Sequence, residues 1–140
     1  MTEKDMQTLF SKHVKKYPLS TSEVYELKIC KGTSLPFDAL QEHQIKALVE
    51  AEDSGLFHKI TDPPIFYGGQ MRFNVPRPFD CMYLINVPAF VVLWFYKPRK
   101  PKIFIKIPIK SFLKCKEEAE RKSITEQMAL EIGTEILIKA

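Results

Sequence analysis

The chain has 140 residues and a formal net charge of +4, and its 45% hydrophobic and 27% charged residues are a globular balance. This length predicts one domain, residues 1–140, with a core of its own. No run approaches the roughly 18 apolar residues of a membrane span, and the polar start of the chain predicts no signal peptide. The three cysteines are far apart, which excludes a disulfide framework and favours a cytoplasmic location.

An amphipathic helix is predicted over residues 3–17. Thr2 is suited to cap its N-terminus, and Pro18 cannot continue it. Its apolar stripe consists of Met6, Leu9, Phe10, His13, Val14 and Tyr17.

The next element, residues 24–32, alternates as a half-buried strand does. Tyr25, Leu27 and Ile29 fall on one face, and Glu26 and Lys28 fall on the other. A carboxylate and an ammonium therefore project from the same face, about 6–7 Å apart along the strand. Such a pair can bind a divalent metal and stabilise charge on a phosphate. The alternative is an exposed ion pair on an edge strand.

A loop is predicted over residues 31–37, followed by a helix that Asp38 caps and that runs to about Glu52. Gln44 lies within the apolar stripe of this helix. Because a buried amide needs hydrogen-bond partners, Gln44 is expected either to face a polar site or to bond neighbouring backbone.

Three motifs in order along the chain resemble the PD-(D/E)xK nuclease superfamily, and most closely the RecU-type Holliday junction resolvases and related small phage proteins. They are Glu26-x-Lys28, the loop Lys31-Gly32-Thr33-Ser34-Leu35-Pro36, and the helix start Glu42-His43-Gln44-Ile45. The resemblance implies an α/β, restriction-endonuclease-like core, with a central mixed sheet of about four to five strands flanked by helices. It also implies a homodimer.

The resemblance implies a role for each matching residue. Glu26 would be a ligand of Mg²⁺ or Mn²⁺, Lys28 the catalytic lysine, and Gln44 a helix residue turned toward the active site. Contacts with DNA phosphates would come from Lys31, Thr33 and Ser34, and His43 could face the substrate or the solvent.

The chain departs from the superfamily pattern in its second carboxylate. An Asp usually lies on the strand before E-x-K, but here only Asp5 precedes Glu26, near the N-terminus. Asp80 opens a predicted strand over 79–85 that leads through a turn into a strand over 89–96. We hypothesise that Asp80 completes the metal site from this hairpin; the alternative is a turn or strand-cap Asp. Glu23 is a weaker candidate, because it lies on the face of Tyr25.

The remaining chain alternates between irregular and regular segments. Residues 61–78, rich in Pro and Gly, are predicted to be an ordered excursion, with a possible hairpin at Gly68 and Gly69. A strand over 102–109 follows a stiff turn at 97–101. Residues 110–140 are predicted to be mainly helical, with helices over 110–122 and near 124–132 and a possible last strand at 134–138.

Positive charge is concentrated between Lys97 and Lys116, where eight basic residues occur without an acidic one. Such a block favours an anionic partner. Lys97, Arg99, Lys100 and Lys102 are the predicted DNA contacts, and alternation places Lys106 on the same strand face as Lys102. The alternative is an edge strand whose lysines prevent aggregation.

These features favour a Mg²⁺-dependent endonuclease acting on DNA, with four-way junctions as the substrate and DNA recombination in a bacterium or phage as the setting. A catalytically inactive module of the same fold, binding DNA or protein, is the alternative that the missing Asp favours. A phage structural or assembly protein is a third class, which no feature of the sequence supports.

Overall fold

The computed structural model describes residues 1–16, 22–59 and 81–139. The helices are α1 (Glu3–Lys16), α2 (Glu42–Asp53), α3 (Ile109–Glu118) and α4 (Glu126–Ile132). The strands are β1 (Val24–Cys30), β2 (Ser34–Pro36), β3 (Leu56–Lys59), β4 (Cys81–Leu84), β5 (Ala89–Phe95), β6 (Lys102–Pro108), β7 (Ser123–Thr125) and β8 (Thr134–Ile138). None of the helices in these ranges has the length and apolar character that crossing a bilayer requires.

The central sheet contains four strands in the order β1-β5-β6-β8. β1 and β5 run parallel, whereas the β5–β6 and β6–β8 pairs are antiparallel. β5 is an almost continuous apolar run, and Val91, Val92 and Leu93 are fully buried, as expected for an inner strand covered on both faces. The predicted α/β architecture with a mixed sheet flanked by helices is confirmed.

The two faces of the sheet carry separate hydrophobic clusters. On one face, β-strand residues such as Val91 and Ile107 pack with residues of α2, α3 and α4. On the other face, Met6 and Phe10 of α1 pack against Val92, Trp94 and Phe104. Alternation along β1 therefore assigns Glu26 and Lys28 to the face of α2, and Tyr25 and Leu27 to the face of α1.

The predicted first helix is confirmed within a residue, and its N-terminus is capped reciprocally. The Thr2 backbone N–H donates to Asp5 Oδ2 over 2.7 Å, and the Asp5 backbone N–H donates to Thr2 Oγ1 over 3.3 Å. The first of these bonds, with help from the Thr2 hydroxyl, lowers the pKa of Asp5.

The predicted start of α2 is wrong. Residues Phe37–Ala39 form a 3-10 turn, and α2 begins at Glu42 with Gln41 as its cap. Asp38 lies outside the helix and pairs instead with Lys116, 3.3 Å away. Part of the predicted loop is also regular, because Ser34–Pro36 form β2, which pairs antiparallel with β7.

One other topological prediction is wrong. β4 pairs antiparallel with β3, and β5 pairs with β1 and β6, so β4 and β5 do not form the expected hairpin. The possible last strand at 134–138 is present as β8, which is part of the central sheet. The excursion at 61–78, including its possible turn at Gly68 and Gly69, lies outside the described residues.

Gly133 allows the chain to pass from α4 into β8 close against β6. A Cβ at this position would lie 2.8 Å from the side chains of both Ile105 and Ile107, and 3.0 Å from the Ala129 carbonyl oxygen. Because its φ of −123° is accessible to any residue, Gly133 is needed for space and not for backbone conformation.

Gly133→Ala should lower the free energy of unfolding by about 1–3 kcal/mol, because the added methyl overpacks the core. Gly32→Ala is the matched control, since a Cβ there meets nothing within 4 Å. Its effect should stay within about 0.5 kcal/mol. Urea denaturation at 25 °C measures both, and equal losses in the two variants would contradict the packing argument.

Candidate functional site

Glu26 and Lys28 occupy β1, which is an edge strand of the sheet within the described ranges. Their backbone partners on β5 are the buried residues Val91 and Leu93. The Lys28 and Glu26 side chains are only 14% and 27% exposed, and Lys28 Nζ lies 3.4 Å from Glu26 Oε1. The pair is thus an ion pair on an edge strand, as in the alternative interpretation, and both of its side chains are partly exposed.

Gln44 reaches the same carboxylate from α2. Its Nε2 donates a hydrogen bond to Glu26 Oε1 over 2.7 Å. Its Oε1 accepts a hydrogen bond from the Gln41 backbone N–H over 3.0 Å. One end of the Gln44 amide thus bonds local backbone, as one interpretation predicts, and the other end faces Glu26; an active-site role stays a prediction.

Gln41 is a positioning residue that the sequence analysis missed. Because its backbone N–H occupies Gln44 Oε1, the amide nitrogen of Gln44 is the end turned toward Glu26. The signal was present in the sequence: a Gln three residues after a helix cap is typical of a capping box. Asp is nevertheless a stronger N-cap residue type than Gln, so residue preference alone favours Asp38.

Gln44 and Lys28 both contact the carboxylate of Glu26. Its Oε1 accepts a hydrogen bond from Gln44 Nε2 and forms the ion pair with Lys28 Nζ, whereas Oε2 accepts no hydrogen bond from the described residues. Gln44 lies in the first turn of α2, so the positive end of the helix dipole also faces this carboxylate. The arrangement holds one anionic oxygen in place and leaves the other available.

Of the two predicted metal ligands, Glu26 and Asp80, the structure describes Glu26. Within the described residues, no group of three His, Cys, Asp or Glu side chains is placed to hold an ion. Glu26 supplies a single carboxylate, which is the lower limit of what Mg²⁺ takes from protein when phosphates and water complete its shell. Asp80 lies outside the described residues. Glu23 faces away, since it accepts hydrogen bonds from Tyr25 and Lys106 on the other side of the sheet.

The parallel pairing of β1 and β5 brings two predicted DNA-binding segments together. Their carboxyl ends are adjacent, with the Tyr96 backbone N–H donating to the Cys30 carbonyl oxygen over 2.8 Å. The loop with Lys31 and Thr33 and the turn with Arg99 and Lys100 therefore leave the sheet at the same end. All four of these residues are exposed.

The other predicted contacts differ in their accessibility. His43 is exposed in the first turn of α2, beside Gln44. Ser34 is half-buried in β2, where it is paired with Thr125. Lys102 is half-buried at the start of β6, and Lys97 pairs with Glu126.

The positive block between residues 97 and 116 is largely neutralised by carboxylates from elsewhere in the chain. Five of its eight cations form ion pairs: Lys97 with Glu126, Lys106 with Glu23, Lys110 with Asp53, Lys114 with Glu118 and Lys116 with Asp38. Arg99, Lys100 and Lys102 have no carboxylate within 4 Å in the part of the chain that the structure describes. The unpaired charge is therefore confined to the turn and the first residue of β6.

The predicted basic face of β6 is wrong. Phe104, between Lys102 and Lys106 on that face, is fully buried under α1. Lys106 Nζ lies 2.7 Å from Glu23 Oε2 and 4.1 Å from the centre of the Phe90 ring. The alternative of an aggregation-blocking edge strand is wrong as well, because β6 lies between β5 and β8.

Comparison with protein-family models, with curated proteins and with solved structures gave no match to this chain. The resemblance to the nuclease superfamily therefore stays a prediction, which depends on the motifs and on the geometry of Glu26, Lys28 and Gln44.

Lys106→Met should lower the free energy of unfolding by about 1–3 kcal/mol, because it leaves Glu23 without its cation in a half-buried site. Lys102→Met, on the same strand face, should change it by less than about 0.5 kcal/mol. In the double variant Glu23→Gln/Lys106→Met, the loss should be smaller than the sum of the two single losses. Strictly additive losses in urea denaturation would contradict the coupling.

Proposed function

We propose that this chain is a Mg²⁺-dependent endonuclease that hydrolyses DNA phosphodiester bonds, with branched, four-way DNA as its preferred substrate. The single observation that carries the proposal is the convergence of Lys28 and Gln44 on one Glu26 carboxylate oxygen from two different elements. This geometry agrees with the roles that the resemblance to the PD-(D/E)xK superfamily implies. A restriction-endonuclease-like identity of the core and a bacterial or phage-infected cytoplasm belong to the same proposal.

In this proposal, each residue has a distinct task. Glu26 would hold the metal ion through its carboxylate, with Asp80 as the hypothetical second ligand. An ion held there would act as a Lewis acid toward the phosphate and a water molecule. Lys28 would donate a hydrogen bond to the attacking water or to a phosphate oxygen and offset the negative charge that develops there. Gln44 fixes the carboxylate and so preserves the spacing between Glu26 and Lys28.

Substrate binding is supported by the charges at the same end of the sheet. Arg99, Lys100 and Lys31 are exposed there, and Lys28 lies two residues before the end of β1. A DNA backbone that contacts the loop and the turn would thus lie within a few residues of the proposed site. Association with phosphates by such cations releases counterions, which makes binding dependent on salt.

A binding module without hydrolytic activity is the second candidate. The observation that favours it is the missing Asp of the superfamily pattern, because Asp5, near the N-terminus, is the only Asp that precedes Glu26. A module would retain the exposed cations of the loop and the turn and bind DNA without cutting it.

Glu26→Gln should reduce cleavage of a labelled four-way junction in Mg²⁺ by about 1000-fold, because an amide is a poor ligand for this ion. Lys28→Met should reduce it by about 100- to 1000-fold, the usual effect of removing one charge-stabilising donor. Gln44→Leu should reduce it by about 10- to 100-fold, since it acts through Glu26. Single-turnover rates in Mg²⁺, Mn²⁺ and EDTA measure these effects.

Glu42→Gln is the matched control for this series, because Glu42 is an exposed carboxylate in the first turn of α2. It should cleave at the rate of the unmodified chain. Junction binding without cleavage in either metal would reject the enzyme and favour the module. Equal cleavage by Glu26→Gln and the unmodified chain would reject the proposed site.

Replacing Arg99, Lys100 and Lys102 together by Gln should reduce the salt dependence of DNA binding. The slope of log K against log salt concentration should become less negative by about 2–3, since each lost phosphate contact changes it by about 0.9. The control replaces Lys110, Lys114 and Lys116 by Gln, which removes the same charge from cations that are already paired. Fluorescence anisotropy at several salt concentrations measures both slopes, and equal changes would contradict the assignment to the turn.

A further inference from the structure

β8 forms an open edge of the central sheet. It pairs with β6 on one side, and no strand among the described residues pairs with its other side. An edge strand presents a row of unpaired backbone N–H and C=O groups, which can pair with another chain. Leu137, the fourth of the five residues of β8, is a large apolar side chain that is 52% exposed at this edge.

The order of side chains along this edge is complementary to itself. Glu135 and Leu137 lie on one face of β8, and Lys139, the residue that follows the strand, continues the same alternation in sequence; all three are exposed. If two copies pair antiparallel with Leu137 opposite its own equivalent, Glu135 of each copy lies opposite Lys139 of the other. Opposite charges at directly facing positions stabilise a strand pair. The same register places Ile136 opposite Ile138 on the other face, so each facing pair is matched in character.

Other registers lose this match. Centring the pair on Ile136 or on Ile138 places a charged residue, Glu135 or Lys139, opposite Leu137. Parallel pairing in register places Glu135 beside Glu135 and Lys139 beside Lys139. Charged residues on an edge strand commonly prevent association, but here one antiparallel register turns both charges into attractive contacts.

We propose that β8 is the interface of a homodimer, in which a second copy of this chain pairs antiparallel with β8 about a two-fold axis at Leu137. Such an interface is isologous, with the same surface on both subunits. The two four-stranded sheets then form one continuous sheet of eight strands. Leu137 becomes covered by its equivalent, and the backbone groups of the open edge gain partners.

The dimer has a consequence for the candidate site, and this consequence alone rests on the proposed function. Register from β1 to β8 assigns Glu26, Val91, Ile107, Ile105 and Glu135 to one face of the sheet. The two-fold axis is perpendicular to the sheet where the two copies meet, so the two Glu26 sites lie on equivalent faces of the two halves. They are seven strand spacings apart, about 34 Å across the sheet at the usual spacing, and the twist of the sheet rotates the two faces relative to each other.

Charge reversal tests the interface and its register. Sedimentation velocity at low salt over a wide range of protein concentrations should show a monomer–dimer equilibrium for the unmodified chain. Glu135→Lys and Lys139→Glu should each raise the dimer dissociation constant about tenfold or more, because two attractive pairs per dimer become repulsive. The double variant Glu135→Lys/Lys139→Glu should restore the original value, because it exchanges the two charges.

Two controls keep the result specific. Glu117→Lys makes the same charge change at an exposed position on α3 and should leave the dissociation constant unchanged. Circular dichroism of each variant shows whether the fold is retained, and restoration by the double variant cannot come from misfolding. A monomer at all concentrations, or a dimer that the single reversals do not weaken, overturns the proposal. A failure of the double variant to restore the dimer overturns the register and with it the proposal.

A symmetric cross-link provides an independent measurement. Facing Cα atoms in an antiparallel pair are about 4.5–5.5 Å apart, within the range that a disulfide spans. Leu137→Cys should therefore form a covalent dimer on mild oxidation, whereas the unmodified chain and Glu117→Cys should not. Absence of this cross-link overturns the proposal. Neither experiment involves DNA cleavage, so the dimer and the proposed function can fail separately.

Discussion

The parallel pairing of β1 with β5 is the constraint on which the rest of this structure depends. It places Glu26 and Lys28 beside the buried residues Val91 and Leu93, so that the charged face of β1 continues an apolar sheet surface. It also brings the carboxyl ends of both strands together, and with them the exposed loop after Cys30 and the basic turn after Phe95. A parallel pair needs a long connection, and that connection contains α2, the helix that carries Gln44.

Gln44 connects the N-terminal cap of α2 to the candidate site through its two ends. The amide oxygen completes the N-terminal cap of α2, which leaves the amide nitrogen to hold Glu26 Oε1. A side chain that is fixed at both ends loses little further freedom when a ligand binds. The capping contact at the start of α2 therefore fixes the position of Gln44 beside Glu26. Any shift of α2 along β1 would separate the two side chains.

Long-range ion pairs neutralise part of the positive charge in the second half of the chain. Lys110 and Lys116 form ion pairs with Asp53 and Asp38, which are far away in sequence. Lys106 on β6 forms an ion pair with Glu23, which precedes β1 on the far side of β5. Within the block from Lys97 to Lys116, Arg99, Lys100 and Lys102 are the cations without such partners in the described residues. The charge available to an anionic partner is thus smaller and more local than the sequence indicates, and it lies next to the candidate site.

The sequence by itself determined the local features: the amphipathic α1, the alternation of β1, the buried run of β5, and the strand at the end of the chain. Periodicity and capping depend on neighbouring residues, so they are visible without the fold. Only the tertiary structure decided which strands pair, that β4 pairs with β3 and not with β5, that Gln44 contacts Glu26, and which lysines are neutralised. These outcomes depend on contacts between residues distant in the chain, whose choice is made by the shared packing of the whole core and not by any local pattern.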